Sequence, residues 1–127
     1  MVTEYDPDVE PEATAWLATP EDVRLDLIAT YHRCGRVSLP SPRLHAAIHA
    51  VVENQLALGE LEVVNAVKRL QNEGLGRHDA IHAVGTVLAE HLSDVLHTGG
   101  ERSRGVHRQY FERLNGLTAD EWRQSGQ

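Results

Sequence analysis

The amino-acid sequence predicts an all-α fold: a single-domain helical bundle of about five helices with short loops. Apolar residues recur three and four positions apart in successive stretches, and capping residues, prolines or glycines bound those stretches. No stretch of any length alternates apolar and polar residues as a half-buried strand would. The chain has 127 residues, of which 41% are apolar, and this is enough to build one hydrophobic core.

The N-terminal stretch is strongly acidic. Residues 1–26 hold eight acids and one base, so they account for the whole net charge of −7, and the rest of the chain is neutral. Because Pro7 and Pro11 interrupt this stretch, we expect residues 1–15 to form an irregular lead-in and residues 16–127 to form the helical domain. A neutral body lacks the basic face that a nucleic-acid partner requires.

Three features that the sequence lacks predict the cellular compartment of the protein. No apolar run approaches the ~20 residues that span a bilayer, and the acidic N-terminus does not resemble a signal or transit peptide. Cys34 is the only cysteine, which excludes an intrachain disulfide and a cysteine-rich zinc site. We therefore expect a soluble cytoplasmic protein with no membrane partner.

The first helix is predicted over residues 20–34. Thr19 is suited to the N-cap, proline to the first helical position, and the acids Glu21 and Asp22 to the first turn. Gly35 is a plausible stop. The apolar positions with helical spacing are Val23, Leu27, Tyr31 and Cys34.

The second helix is predicted over residues 42–58, between a Ser-Pro pair and Gly59. Its expected apolar arc consists of Leu44, Ile48, Val51, Val52 and Leu58. His45 and His49 lie at the edge of this arc. Gln55 lies in its middle, and a buried amide must find hydrogen-bonding partners there.

The fourth helix is the longest, predicted over residues 77–97. Its expected apolar arc consists of Ile81, Val84, Leu88, Leu92 and Val95. His78 and His82 lie at the edge of that arc, as the first histidine pair does. Gly85 and Ala89 follow on nearly the same stripe, and such small residues allow another helix or a ligand to approach closely.

The remaining helices are shorter. The third is predicted over residues 61–73 with Val63, Val67 and Leu70 inward, and the fifth over residues 103–115. The fifth helix has a weaker apolar side that consists of Val106, Tyr110 and Leu114. The run Thr118-Ala119-Asp120-Glu121 is a capping-box pattern that opens a last short turn.

The two histidine pairs are the feature of the sequence that most strongly indicates a functional site. In each pair the histidines are four residues apart, which places them on one face of a helix. Two such helices side by side would bring four imidazoles together, and imidazole is a good ligand for transition metals such as Zn, Fe or Ni. The predicted ligands are His45, His49, Glu53, His78 and His82. Further candidates near them are His32, Gln55 and Asp79.

Two alternatives stand beside a metal site. Histidines at the edge of a core commonly just bind a carbonyl or a carboxylate, and the protein would then be a non-catalytic helical interaction or oligomerisation module. The adjacent His78 and Asp79 suggest a metal-dependent phosphohydrolase. We rank it last because neighbouring residues point about 100° apart on a helix. If the metal site catalyses a reaction, hydrolysis by a metal-activated water or redox chemistry at iron are the expected classes.

The other histidines and the cysteine carry weaker signals. We interpret His91, His97 and His107 as surface or hydrogen-bonded residues. Cys34 stands at a predicted helix end, where packing is a better interpretation than nucleophilic chemistry because no neighbour in the sequence points to its activation.

Parts of the chain resemble a known family. The segments are Tyr31-His32-Arg33, Leu44-His45-Ala46-Ala47-Ile48-His49 through Val52-Glu53-Asn54-Gln55, and Arg77-His78-Asp79-Ala80-Ile81-His82-Ala83. They resemble a bacterial family of small proteins named only as a domain of unknown function, the DUF1841 type, over about residues 16–96. Some members are richer in histidine after the third segment, where this chain has Val84 and Gly85. The resemblance implies no activity; it supports grouping these histidines.

Overall fold

The structure is a computed structural model of the protein, and it describes residues 1–34, 42–97 and 106–124. These ranges contain helices and no strand, which confirms the all-α prediction. The helices are α1 (Ala13–Ala18), α2 (Glu21–Cys34), α3 (Pro42–Ala57), α4 (Leu61–Asn72), α5 (Arg77–His97), α6 (Val106–Gly116) and α7 (Ala119–Gln124). The expected stop at Gly35 and the expected first turn of the fifth helix, residues 103–105, lie outside the described residues.

The prediction of about five helices is wrong, because the described residues contain seven. The two additional helices are α1 and α7, of six residues each. In α1 the Glu12 side chain caps the helix by accepting a hydrogen bond from the Ala15 amide at 2.6 Å. In α7 the Thr118 hydroxyl accepts from the Glu121 amide at 3.1 Å. Each helix also buries one tryptophan, Trp16 or Trp122, so packing supports segments too short to be helical alone.

Helix α3 lies between two hydrophobic clusters. The larger cluster joins side chains of α3 to α7, among them Leu70, Ile81 and Leu114, and the smaller one joins the N-terminal segment, α1, α2 and α3 around Trp16 and Ile28. Helix α3 packs against α1, α2, α4 and α5. None of the helices described here combines the length and apolar character that a membrane crossing needs.

Helices α3 and α5 pack against each other, as the pairing of the histidines requires. Gly85 lies at a tight contact between them, because a Cβ atom on this residue would lie 3.1 Å from Cγ2 of Ile48. This agrees with the expectation that a small residue lets another helix come near. Ala89, one turn further along α5, is exposed and has no such role.

The predicted inward faces of α3 and α5 are partly wrong. Leu44 and Val51 on α3 are 61% and 37% exposed, Leu58 just beyond its end is 68% exposed, and on α5 Leu92 is 42% exposed. The buried face of α3 instead carries small residues together with His49 and Glu53. These polar side chains tolerate burial because each has a hydrogen-bonding partner in the fold, a condition that apolar periodicity does not reveal.

Candidate metal centre

The packing of α3 against α5 brings the two histidine pairs together. Nε2 of His82 lies 3.0 Å from Nε2 of His45 and 2.9 Å from Nε2 of His78. His49 completes the group, with its ring centroid 5.4 Å from that of His82 and 5.5 Å from that of His78. We refer to these four residues as the histidine cluster.

Three members of the cluster have the mutual spacing of a metal-binding group. His45, His49 and His82 each offer a ring nitrogen, and the three nitrogens lie within 4.8 Å of one another. His49 is buried, whereas His45, His78 and His82 are half-buried. The cluster is therefore shielded from solvent at His49 and accessible to solvent at its other three members.

Glu53, the predicted carboxylate ligand, lies one turn from His49 and is engaged by other residues. Arg77 donates from Nη1 to Oε2 of Glu53 at 2.9 Å and from Nη2 to Oε1 at 2.7 Å. Both side chains are buried, with 8% of Arg77 and 1% of Glu53 exposed. Burial alone would lower the pKa of the guanidinium, but the hydrogen bonds and negative charge of Glu53 outweigh it and raise the Arg77 pKa above its ordinary value.

Tyr5 is a site residue that the sequence did not reveal. Its hydroxyl donates a hydrogen bond to Oε2 of Glu53 and lies 2.7 Å from Nε2 of His49. The ring is held by a contact with Trp16 at a centroid distance of 5.5 Å. Burial and then the adjacent charge of Glu53 raise the pKa of the Tyr5 phenol far above its usual value, so the phenol keeps its proton.

The segment around Tyr5 continues across the start of α5. The carbonyl of Pro7 accepts a hydrogen bond from Nη1 of Arg77 at 2.7 Å, and the Asp8 carboxylate accepts one from the backbone amide of His78 at 3.2 Å. A carboxylate at this place accepts from a backbone N–H that has no partner inside the helix. Its negative charge is also stabilised by the positive end of the helix dipole. Residues 1–12 are irregular in structure, but part of this segment covers the site.

The other predicted candidates do not belong to the group of three ring nitrogens that have metal-binding spacing. Gln55 is half-buried, and it accepts a hydrogen bond from the Tyr110 hydroxyl at 3.0 Å, which provides the partner expected for this amide. Asp79 is exposed and does not belong to the three-residue group. His91 is buried and stacks on Tyr110 at a centroid distance of 5.8 Å. The side chains of His32, Cys34, His97 and His107 lie outside the described part of the structure.

No protein-family model, curated protein or solved structure matches the chain. The similarity to the family of unknown function stays a prediction, and the functional inference depends on the geometry of the site.

Proposed function

We propose that the protein binds one transition metal ion through His45, His49 and His82, with His78 as the fourth ligand. Zn, Fe and Ni are the candidate metals, because neutral imidazole suits all three. The observation that carries the proposal is the convergence of two other imidazole nitrogens on Nε2 of His82.

A ring nitrogen has one in-plane position, occupied either by a proton or by a lone pair. Nε2 of His82 can therefore form one full hydrogen bond in its ring plane, yet the corresponding atoms of His45 and His78 both lie within 3.0 Å of it. Hydrogen bonds alone therefore cannot satisfy both of these contacts at full strength. A cation among the three nitrogens would accept a lone pair from each, so the arrangement favours a metal ion over a purely hydrogen-bonded cluster.

Two of the spacings in the cluster are close to what one ion requires. Two nitrogens at the usual zinc distance in a tetrahedral site are ~3.3 Å apart. The two short separations of 3.0 and 2.9 Å need to open by only a few tenths of an ångström, on the order of a small rotation of each ring. Helix bundles build metal sites from facing side chains of this kind.

In our proposal Glu53 is not a metal ligand, but it supports the site through its hydrogen bonds. Its two oxygens bind Arg77, and one of them also accepts from Tyr5. Recruiting Glu53 as a ligand would leave the guanidinium of Arg77 buried without its anion, which is strongly unfavourable. Since Asp79 is exposed, the structure gives the phosphohydrolase alternative no added support.

A metal titration of untagged protein tests the proposal. After removal of bound metal with a chelator, isothermal calorimetry and native mass spectrometry with Zn²⁺, Ni²⁺ and Fe²⁺ should show one ion per chain. Replacing His82 with Ala should abolish stoichiometric binding, and Asp79→Asn should leave it unchanged. Absence of stoichiometric binding, or its survival in a protein with His45, His49 and His82 all replaced by Ala, would refute the proposal.

The exposed face of α3 favours a second candidate function, self-association through this helix. Leu44 and Val51 on α3 and Leu58 just beyond its end are exposed and seven residues apart, so they lie on one side of the helix as an exposed apolar stripe that another copy could cover. Analytical ultracentrifugation should show a dimer that Val51→Glu dissociates, while Val9→Glu, at an exposed position in the N-terminal segment, leaves it intact. A wild-type protein that stays monomeric at high concentration would exclude this function.

A further inference from the structure

We infer that Tyr5, Glu53 and Arg77 fix the tautomer of His49, so that this histidine presents Nδ1 to the metal ion while His45, His78 and His82 present Nε2. The part that concerns the metal rests on the proposed function. The part that concerns the tautomer is a property of the metal-free protein and can be measured separately.

Arg77 donates to both oxygens of Glu53, at 2.9 and 2.7 Å, in the bidentate arrangement of a guanidinium and a carboxylate. A carboxylate bound in this way offers only acceptor atoms. Glu53 therefore has no proton to give to a neighbouring group.

The hydroxyl of Tyr5 has a single proton, and that proton is donated to Oε2 of Glu53. The oxygen of Tyr5 is then an acceptor toward any further partner. Nε2 of His49 lies 2.7 Å from this oxygen, which is hydrogen-bond distance, so the proton between the two atoms belongs to His49.

A neutral imidazole that carries its proton on Nε2 has its lone pair on Nδ1. Among the atoms of the His49 ring, Nδ1 is therefore the one able to bind a cation. His45 and His78 each meet His82 through Nε2, so the ligand set would contain one Nδ1 nitrogen and three Nε2 nitrogens.

This network is typical of how proteins prepare a histidine ligand. A hydrogen bond from the second ring nitrogen to a carboxylate or another acceptor fixes the ring and raises its basicity toward the metal. Here the acceptor is a phenol oxygen whose own proton goes to a buried carboxylate. The ring of His49 is thus oriented, with the correct tautomer, before any ion arrives. Tyr5 acts as a positioning residue and has no direct contact with the ion in this arrangement.

Nitrogen-15 spectroscopy of the metal-free protein tests the tautomer. Long-range proton–nitrogen correlations of histidine-labelled protein distinguish a protonated ring nitrogen from one with a lone pair, and His49→Gln assigns the signals by their loss. We expect a protonated Nε2 and an unprotonated Nδ1 for His49 in the wild type, and a mixture of tautomers in Tyr5→Phe. A proton on Nδ1 of His49 in the wild type would overturn the inference.

Metal binding gives the second readout. Tyr5→Phe should weaken the affinity for Zn²⁺ roughly 10- to 100-fold, the usual effect of losing such a supporting hydrogen bond. Tyr110→Phe is the matched control, because it also removes a buried phenol hydroxyl but leaves the cluster untouched, and its affinity should be unchanged. A Tyr5→Phe protein that melts earlier but keeps both the tautomer and the affinity would reduce Tyr5 to a packing role and overturn the inference.

Cadmium-113 coupling to the labelled histidines separates the two proposals. Coupling to Nδ1 of His49 supports both. Coupling to Nε2 of His49 overturns the inference while leaving the metal site in place. If no ion binds but His49 carries its proton on Nε2, the proposed function fails and the tautomer assignment stands.

Discussion

Cγ2 of Ile48 lies 3.1 Å from the place that a Cβ atom would occupy on Gly85, so α3 and α5 approach more closely here than most residues with a Cβ atom would permit. This contact lies one turn from His82 on α5 and next to His49 on α3. Because both packed helices carry the cluster, the helix separation at Gly85 sets how near the imidazoles come to one another.

Enlarging residue 85 should therefore damage both stability and the site. We expect Gly85→Leu to cost on the order of 1–3 kcal/mol by overpacking, after an offset of about 1 kcal/mol from the better helix propensity of leucine. Metal affinity should fall with it, because α3 is pushed away from α5. The control is Ala89→Leu, at an exposed position one turn further along α5. Urea denaturation and metal titration of both variants give the comparison, and equal behaviour of the two would contradict the role of Gly85.

The buried pair of Glu53 and Arg77 should behave as a unit. Removing one partner leaves an uncompensated buried charge, so Arg77→Met and Glu53→Leu should each cost about 3–5 kcal/mol. The double variant should cost less than the sum of the two, because neither charge is then left unpaired. A double-mutant cycle by urea denaturation measures this coupling.

The control for that cycle is the ion pair of Arg113 and Asp94, whose side chains are 39% and 59% exposed. Arg113→Met should cost no more than about 1 kcal/mol, because solvent screens this pair. Additive effects of Glu53→Leu and Arg77→Met would show that the two residues act independently.

Local signals in the sequence predicted most of the helices but only part of the site. Periodicity together with end signals such as Gly59 placed the five longer helices, because these signals lie within about one turn of the chain. The same reasoning led to the four histidines, since their spacing alone puts each pair on one helix face. The meeting of the pairs depended on α3 and α5 being neighbours in space, for which Gly85 was the only local indication.

The sequence could not reveal the partners of the buried polar residues. Tyr5 lies 44 residues from His49 in the chain, and Arg77 lies 24 residues from Glu53. Apolar periodicity placed Leu44 inward because it assigns burial by hydrophobicity, and the position of Glu53 one turn beyond His49 made it a predicted ligand. The fold exposes Leu44 and buries Glu53, whose burial is tolerated because the carboxylate has charged and hydrogen-bonding partners that only the tertiary structure supplies.

The N-terminal segment should be coupled to the metal ion. Deleting residues 2–9 removes the Tyr5 hydroxyl, the Pro7 carbonyl and the Asp8 cap together, so the loss of metal affinity should be at least as large as for Tyr5→Phe. By linkage, bound metal should in turn stabilise the segment against local opening. Hydrogen–deuterium exchange should therefore slow at the Asp8-capped amide of His78 when Zn²⁺ binds. Amides of α7, which lies outside the cluster, should be unaffected, and identical exchange at His78 with and without Zn²⁺ would contradict the coupling.

The buried phenols make stability fall at high pH. Burial raises the pKa of Tyr110, and burial with the charge of Glu53 raises that of Tyr5. An unfolded tyrosine ionises near pH ~10. Above that pH the unfolded chain releases protons that the folded protein retains, so the stabilising contribution is complete below pH ~10 and is lost as the pH rises toward the folded-state values.

We expect the free energy of unfolding to fall above pH ~10 by about 1.4 kcal/mol per pH unit for each of these two residues. Tyrosinate absorbance at 295 nm from Tyr5 and Tyr110 should appear together with the loss of helical circular dichroism. Tyr31, which is half-buried, should ionise first. In Tyr110→Phe the free energy of unfolding should fall less steeply with pH, because only Tyr5 then keeps a phenol proton in the folded state that the unfolded chain releases. Ionisation of all three phenols near pH ~10 with the helical signal intact would show that Tyr5 and Tyr110 are not held in this way.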